Sequence, residues 1–286
     1  MGSAHLRALG DQIAAVVEPA AVDVPVPHHR SIEELLRDGS ADGAIVAVPS
    51  RLHVPVVREL VAAGIPVLCE KPCGLTSDDA RTLAAEAAAA RVPLHVGYWR
   101  RFVPALRGLR EQLAAGALGE VELVHCAQWD ERPPPAAFRD PASSGGIVVD
   151  MGVHELDQLR WLTGQEIAAV RVVSSTVAFD PPVEGDPESV ALALELSGGA
   201  IALVSLLRRH PPGDLCRVEL VATQGVERID FLSPADGEKP FLAALRAQAL
   251  DFTAAIRGEP SQGATAEDAA RALEAAERIT LRPMPR

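Results

Sequence analysis

The chain has few aromatic residues, few cysteines and no long hydrophobic run. Only 3% of its 286 residues are aromatic. The four cysteines form no CxxC pair, the spacing that many zinc and redox sites use, so buried reduced thiols are the simpler interpretation. No apolar run approaches the roughly 20 residues of a membrane span, and the opening MGSAHLRALG lacks a signal-peptide core. We therefore expect a cytoplasmic protein that does not associate with membranes.

Basic residues are outnumbered by acidic ones. Lys and Arg total 27 against 39 Asp and Glu, which gives a formal net charge of -12. No basic cluster is long enough to follow a phosphate backbone, so nucleic acid is not an expected partner. Apolar residues, in contrast, make up 48% of the chain, which is enough for a substantial core in one large domain or two ordinary ones.

The first hundred residues alternate short apolar runs with amphipathic segments, a pattern typical of βαβ units around a parallel sheet. Helices are predicted to begin after Ser31 and Thr76, because Glu34 and Asp79 follow them at capping-box spacing. Strands are predicted at residues 13–17, 44–48, 66–70 and 93–97. The two histidines at 28 and 29 are expected in a loop.

The pattern changes after residue 102. A helix is predicted over residues 103–119, and the strands that follow are longer and of mixed polarity. They are expected within residues 121–129, 168–179, 189–207 and 216–231, with a hairpin turn at 197–199. Helices return at 241–258 and 265–279, whereas 131–135 and 208–214 are predicted to be exposed loops. The sequence therefore predicts a parallel-sheet domain over 1–102 and an α+β domain over 103–286.

Polar residues follow the predicted strands, at the edge where an open parallel sheet binds ligands. A carboxylate at Glu18 can accept hydrogen bonds from both ribose hydroxyls of an adenosine and repel a 2′-phosphate, which favours NAD over NADP. A solvated loop acid is the alternative interpretation of Glu18. The next two strands bring further candidates for cofactor binding to the same crevice: Pro49, Ser50, His53, Glu70, Lys71 and Pro72.

The glycine-rich turn of a dinucleotide-binding unit is incomplete. Such a unit opens with a strand and GxGxxG, yet MGSAHLRAL corresponds to the last glycine, Gly2, and the first helix. The first strand and GxGxx are expected upstream of Met1, or to have been lost. A loss would weaken cofactor binding, because backbone N–H groups of that turn hold the pyrophosphate.

A second motif, SSGGIVVDMGVHELDQLRWLTG at residues 143–164, places Asp150, His154 and Asp157 at intervals of four and three. On a helix these side chains lie along one face. That face could contact a substrate, a metal ion or nothing in particular. Taken alone, a histidine in an apolar stretch is more often structural, and Asp150 could be a helix cap.

Four segments together resemble the Gfo/Idh/MocA oxidoreductases, and most of all their inositol dehydrogenase branch. They are AVPSRLH, CEKPCGLT, GYWRRFVPALRGLR and GGIVVDMGVHELDQLRWL, in this order and spacing. The resemblance implies a Rossmann domain, a C-terminal domain with a large open, mainly antiparallel sheet, and a homodimer or homotetramer. It also implies NAD(P)-dependent oxidation of a secondary hydroxyl on a cyclic polyol or sugar. The loop RRHPPGDLCR lacks the tyrosines expected near an inositol ring, which puts the substrate in doubt.

The resemblance also implies roles for individual residues. Lys71, Asp150 and His154 match the catalytic set, and Trp99, Arg100 and Asp157 match positions near the substrate. In this hypothesis the imidazole of His154, whose ordinary pKa of about 6.5 lies near neutral pH, takes the hydroxyl proton. Asp150 is expected to orient that ring, and Lys71 to stabilise the reacting oxygen.

Two alternatives remain open at this point. One is a metal-dependent sugar hydrolase or isomerase in which Asp150, His154 and Asp157 bind the metal, although no fourth ligand has a persuasive spacing. The other is a truncated relative that binds a sugar without turning it over.

Overall fold

The fold was analysed in a computed structural model, which describes residues 1–39, 41–174 and 183–281. Its α-helices are α1 Gly2–Leu9, α2 Ile32–Asp38, α3 His53–Ala62, α4 Ser77–Ala90, α5 Pro104–Ala114, α6 Ala136–Arg139, α7 Pro141–Ser144, α8 Val153–Thr163, α9 Lys239–Ile256 and α10 Ala266–Glu277. Its strands are β1 Val16–Val17, β2 His28–His29, β3 Ala44–Val46, β4 Val67–Cys69, β5 Leu94–Val96, β6 Val121–Trp129, β7 Ile167–Ser174, β8 Ser189–Leu196, β9 Ile201–Leu207, β10 Leu215–Ala222, β11 Gly225–Leu232 and β12 Ala264–Thr265.

The first domain contains parallel strands, as the alternating pattern predicts. Strands β3, β4 and β5 are parallel neighbours, and β12 joins β5 in antiparallel orientation. Strands β1 and β2 form a separate parallel pair. The prediction of a loop at His28 and His29 was wrong, because these residues form β2. Two backbone hydrogen bonds join β2 to β1: the N–H of Val16 donates to the carbonyl of Pro27, and the N–H of Glu18 donates to the carbonyl of His29. Two residues are too few to show a strand periodicity in the sequence.

Local capping signals place three helix starts correctly. Thr76 and Asp79 form a reciprocal capping box at the start of α4, and Thr265 and Asp268 form another at α10. At α2, Ser31 accepts a hydrogen bond from the backbone of Glu34, as predicted. The α4 and α10 boxes satisfy N–H groups that the first turn of a helix leaves without intrahelical partners.

The second domain is built on a six-stranded sheet in the order β11-β10-β6-β9-β8-β7. All neighbouring strands are antiparallel except β6 and β9. Side chains of β8 alternate between buried and exposed positions, so one face of the sheet packs on the core and the other is open. Residues 175–179 of the strand predicted over 168–179 lie outside the described residues.

The C-terminal segment returns to the first domain. Helix α9 packs against α1, β12 pairs with β5, and α10 packs against both α4 and α8. The buried apolar residues of the two domains form one continuous cluster. Because the core is continuous, the domain boundary at residue 102 stays a prediction. Within the C-terminal segment, β12 is the part that joins the first sheet. Among the described helices, none is both long and apolar enough to cross a membrane.

Candidate active site

The candidate site lies where the end of β4 meets the segment before α8. Strand β4 is fully buried and is followed by Glu70 and Lys71. The ammonium of Lys71 crosses to the second domain, where it lies 2.5 Å from the backbone oxygen of Asp150 and 3.2 Å from its carboxylate Oδ1. The side chains of Lys71 and Asp150 are 15% and 17% exposed. The two domains thus bring these predicted catalytic residues together.

A π-helical turn, Val148–Gly152, holds Asp150 and precedes α8. The Gly-Gly pair before it is sterically required, since Gly145 and Gly146 have φ of 80° and 68°. A Cβ on Gly145 would lie 2.4 Å from the side chain of Val149. A π turn adds one residue to the helical repeat, so the spacing of four between Asp150 and His154 does not continue the α-helical face of α8.

The Asp150 carboxylate is held between two cations. Its Oδ2 accepts a hydrogen bond from Arg208 at 2.9 Å, while Oδ1 faces Lys71. Burial alone would raise the pKa of Asp150, but Lys71 and Arg208 lower it below the ordinary value, so the group is ionised at neutral pH. Because both oxygens are engaged, the structure differs from the expectation that Asp150 orients His154. The described part of the chain shows no hydrogen bond between Asp150 and His154.

Arg208 corrects one prediction about the loop after β9. Residues 208–214 were expected to be exposed, yet the side chain of Arg208 is fully buried. It bonds Asp186 through two nitrogens, at 2.8 and 3.1 Å, in addition to Asp150. Sequence reasoning missed this residue because its two partners are 22 and 58 positions away. One indication in the sequence was that Arg208 directly follows a predicted strand, a position where ligand sites commonly lie.

His154 lies in the first turn of α8 and is only 7% exposed. The rings of Tyr98 and Trp99 meet it edge-on at 5.9 and 6.4 Å. Burial lowers the pKa of His154 well below 6.5, and the nearby charges of Lys71 and Arg100 lower it further. The ring is therefore neutral at neutral pH. Its buried Nδ1 has no hydrogen-bond partner among the described residues.

A cavity of about 170 Å³ adjoins His154. Two of the predicted substrate residues, Trp99 and Arg100, line it. The guanidinium of Arg100 is buried, forms an ion pair with Glu155 at 2.6 Å and donates to Gln128 at 2.7 Å. The polar and charged residues lining the cavity are Arg100, Gln128, Asp130, His154 and Asp214.

Asp157, expected near the substrate, is paired with an arginine. Its carboxylate accepts two hydrogen bonds from Arg101, at 2.5 and 3.0 Å, and both side chains are buried. Asp157 does not line the cavity next to His154. It is therefore one half of a buried ion pair that joins α8 to the segment after β5.

Two of the cofactor candidates at the strand ends are engaged in packing. Glu70 is buried and lies 2.6 Å from His5, which ties β4 to α1. The ring nitrogens of His53 face the carbonyl groups of Pro72 and Val48 at 2.7 and 2.8 Å. Burial lowers the pKa of His53, so the neutral ring donates to only one of these carbonyls at a time.

The other cofactor candidates are more open. Glu18 directly follows β1 and is half-buried, and its carboxylate accepts the N–H of Ala20. Pro49 and Ser50 begin the turn that leads into α3. Nothing lies within 4 Å of the point where a side chain would project from Gly2, the first residue of α1. The N–H groups in the first turn of a helix suit a phosphate group, and a carboxylate after a strand suits ribose hydroxyls, so these residues are compatible with a dinucleotide.

Comparison with known proteins identifies the family. Residues 2–98 match the model of the oxidoreductase family's NAD-binding Rossmann fold, and residues 106–227 match the GFO/IDH/MocA C-terminal domain. The chain belongs to the Gfo/Idh/MocA family. This membership confirms the predicted Rossmann domain, the NAD cofactor and the class of oxidoreductase acting on CH–OH groups.

Several members of the Gfo/Idh/MocA family are similar over nearly the whole chain. Rhizopine catabolism protein MocA of Rhizobium meliloti is 46% identical over 290 residues, which cover 98% of this chain and 91% of the relative. Myo-inositol dehydrogenase Hyg17 of Streptomyces leeuwenhoekii is 33% identical, with 96% and 91% covered. The crystal structure of GenD2 from gentamicin A biosynthesis, in complex with NAD, is 25% identical with a TM-score of 0.88 and covers 97% of this chain and 89% of that one.

Proposed function

We propose that this chain oxidises a secondary hydroxyl of a cyclic polyol or sugar, with NAD as the hydride acceptor. The observation that carries the proposal is the convergence of Lys71 and Asp150 from different domains near a neutral, buried His154. His154 in turn lines a cavity of about 170 Å³. A cavity of roughly 150 Å³ holds one benzene molecule, so the space suits a single six-membered ring.

His154 is the general base in this proposal. The neutral imidazole can accept a proton, and the His154 ring lines the cavity. Removing the hydroxyl proton leaves electron density on oxygen, which then forms a carbonyl as hydride leaves the carbon. NAD, when bound, supplies the acceptor for that hydride.

Lys71 stabilises the reacting oxygen. An ammonium has three N–H groups, and two of them are directed to the backbone and carboxylate oxygens of Asp150. Lys71 does not line the cavity itself. Burial lowers the pKa of His154, which does line it, and the charge of Lys71 lowers that pKa further. In this proposal the third N–H of Lys71 donates to the substrate oxygen beside His154 and opposes the developing negative charge. Asp150 therefore acts through Lys71, by holding the ammonium in place, and Arg208 holds Asp150.

The cofactor and the quaternary structure are further parts of the proposal. Glu18, at the end of β1, supports NAD rather than NADP, because a carboxylate there would repel a 2′-phosphate. The open face of the six-stranded sheet exposes Val173, Ile201 and Leu203, at 72%, 49% and 40%, which supports a homodimer or homotetramer through this face. Free, buried cysteines support a reducing, cytoplasmic environment.

The metal-dependent alternative has less support. Two of its three candidate ligands are already paired with cations, Asp150 with Lys71 and Arg208, and Asp157 with Arg101. Within the described residues, no group of three or more His, Cys, Asp or Glu side chains is arranged to hold a metal ion.

A substrate screen tests the proposal. Inositols and aldoses are incubated with the protein and NAD or NADP, and formation of reduced nicotinamide is followed by absorbance. We expect oxidation of at least one cyclic polyol, faster with NAD. Stoichiometric metal in an elemental analysis, together with no nicotinamide reduction by any polyol or sugar, would overturn the proposal in favour of a hydrolase or isomerase. Binding of a sugar without turnover would favour the non-catalytic relative.

A further inference from the structure

A series of ion pairs leads from Lys71 into the interior of the second domain. Asp150 pairs with Lys71 at 3.2 Å and with Arg208 at 2.9 Å. At the far end, Arg208 pairs with Asp186 at 2.8 Å. The side chains of Lys71 and Asp150 are 15% and 17% exposed, whereas those of Arg208 and Asp186 are 0% exposed. We call these four residues of alternating charge the ion-pair series.

Sheet pairing places Asp186 beside Arg208. Asp186 lies shortly before β8, and Arg208 directly follows β9. The two strands are antiparallel, with Ser189 opposite Leu207. Beyond that pair, the backbone N–H of Arg208 donates to the carbonyl of Glu188. The main chain therefore fixes the points from which the two charged side chains extend.

Asp186 sets the direction of the Arg208 guanidinium. Nε and Nη2 of Arg208 both donate to Oδ1 of Asp186, at 3.1 and 2.8 Å. A guanidinium is planar, and its N–H groups form a fixed fork. Because Asp186 holds two of the nitrogens, the direction of the third is fixed, and this Nη1 donates to Oδ2 of Asp150 at 2.9 Å. The position of the Asp150 carboxylate therefore depends on Asp186 through one intervening side chain.

The segment that carries Asp186 also packs against the turn that carries Asp150. Gly146 belongs to the Gly-Gly pair before the π turn and has a φ of 68°. A Cβ on Gly146 would lie 3.2 Å from the backbone oxygen of Gly185, which is a close approach. The backbone next to Asp186 thus limits movement of the turn, while the Asp186 side chain directs Arg208. Both effects act on Asp150.

Stability alone is a weaker explanation for the buried charge of Asp186. A buried ion pair often stabilises a protein no more than apolar side chains of similar volume, because both charges lose their hydration. The buried pair of Asp157 with Arg101 is an example of a separate pair: in the described part of the chain, Asp157 has no hydrogen bond or ion pair with the ion-pair series. Asp186, in contrast, belongs to a series that ends at the ammonium of Lys71.

We infer that Asp186 is a positioning residue for the ammonium of Lys71. Asp186 does not line the cavity next to His154, so it acts through the ion-pair series rather than on the substrate. The inference rests on the proposed function, in which Lys71 donates to the substrate oxygen. A misplacement of about 1 Å can lower a rate by about 10²-fold, so a change at Asp186 should affect the chemical step.

Lysine NMR tests the inference without substrate or NAD. Lys71 and Lys239 are the two lysines of the chain, so labelling of the lysine ε-carbon with carbon-13 gives two ε-methylene signals. The Lys71→Met spectrum assigns them. The held side chain of Lys71 should show two separate ε-proton shifts, whereas the exposed Lys239 should show one averaged shift. In Asp186→Asn we expect the separation of the two Lys71 shifts to decrease, with Lys239 unchanged.

A double-variant experiment tests whether Asp186 acts on the reaction through Lys71. It uses NAD and the inositol or aldose that is oxidised fastest in the substrate screen. Asp186→Asn should lower kcat about tenfold, less than Lys71→Met, and change the Kd of NAD by less than about twofold. In the Lys71→Met background it should lower kcat no further, because the group that it positions is absent. Asp186→Glu keeps the charge and should recover part of the lost kcat.

Asp157→Asn is the matched control, because it removes the same charge from another buried carboxylate that is paired with an arginine. Both Asp157→Asn and Asp186→Asn should lower the denaturation midpoint in urea, but Asp157→Asn should leave the Lys71 shifts unchanged. If Asp186→Asn does not fold, Asp186→Glu decides. Its carboxylate extends one methylene further and displaces the Arg208 guanidinium, so the Lys71 shifts should move while that of Lys239 does not.

The outcomes separate this inference from the proposed function. Lys71 shifts that stay the same in Asp186→Asn and Asp186→Glu would overturn the inference and leave the dehydrogenase proposal standing. Equal losses of kcat in the wild-type and Lys71→Met backgrounds would also overturn it, because a purely structural role gives that result. A decreased separation of the Lys71 shifts, in a protein that oxidises no polyol or sugar, would support positioning by Asp186 and count against the dehydrogenase.

Discussion

The ammonium of Lys71 lies 3.2 Å from Oδ1 of Asp150, across the cleft between the two domains. The other carboxylate oxygen is held by Arg208, so Asp150 is fixed from both sides. This arrangement gives Asp150 a different task from the one expected from the sequence. It holds the Lys71 ammonium in position. His154 is oriented instead by its position in α8 and by the rings of Tyr98 and Trp99.

Replacing Lys71 tests its role in the chemical step. We expect Lys71→Met to lower kcat by roughly 10²-fold or more, because the developing charge on oxygen loses its donor. Binding of NAD, measured by fluorescence quenching, should be largely retained. Lys239→Met is a matched control, since Lys239 also occurs in a Glu-Lys-Pro tripeptide but is exposed at the start of α9. Equal rates for the two variants would remove Lys71 from the mechanism.

The pH dependence of kcat/KM tests His154 as the base. A base must be deprotonated to act, and burial lowers the pKa of His154 well below 6.5. We therefore expect activity on a neutral polyol to stay constant as pH falls to 6.5 and to decrease only below it. His154→Gln should lose about 10²- to 10⁴-fold in rate and show no such decrease.

Asp130→Asn is the control for that profile, because Asp130 titrates with a pKa of about 6 in the same cavity. If the acid-side decrease disappears in Asp130→Asn and persists in His154→Gln, the titrating group is the carboxyl and His154 is not the base.

Arg208 is predicted to be essential for stability as well as for the site. Arg208→Met leaves Asp150 and Asp186 without their shared cation, and such a loss in a buried network costs about 3–5 kcal/mol. We expect a lower denaturation midpoint in urea and a reduced kcat in the variant that remains folded. The exposed Arg209→Met, one residue along the chain, should change the midpoint far less.

Asp157 distinguishes a structural ion pair from a substrate contact. Because Asp157 bonds Arg101 and does not line the cavity, Asp157→Asn should lower the free energy of unfolding by about 3 kcal/mol and leave KM unchanged. Chemical denaturation and steady-state kinetics on the same preparation measure both. A raised KM with unchanged stability would restore the role that the family resemblance implies.

Glu18 is predicted to set the preference for NAD. Glu18→Ser should raise kcat/KM for NADP relative to NAD by about tenfold or more, since the repulsion of the 2′-phosphate is removed. Asp23→Ser, an exposed acid in the connection between β1 and β2, provides the control. A wild-type preference for NADP would contradict the assignment of Glu18.

Sequence reasoning succeeded where the determining contacts are local. The capping boxes at Thr76 and Thr265 act over three residues, and β6 begins and ends where its alternating pattern does. It failed where distant residues decide. The π turn around Asp150 disrupts the regular spacing that the motif suggested, and the burial of Arg208 depends on partners far along the chain.

The candidate site, too, was only partly predictable from the sequence. The family motif located Lys71, Asp150 and His154, but hydrogen bonds formed only in the folded chain reveal that Asp157 pairs with Arg101. The grouping of Asp130 with Asp214 follows from strand pairing between β6 and β10, which single-sequence patterns do not encode.

The uninterrupted apolar cluster shared by both halves has a mechanical consequence. Helix α10 packs against both α4 and α8. Unfolding of either half would therefore expose buried apolar surface of the other half to water. Heating should therefore give a single calorimetric peak rather than a separate peak for each half. The residues that line the cavity next to His154 would then move little during turnover. A ligand would enter through movement of loops and side chains at the opening of this cavity.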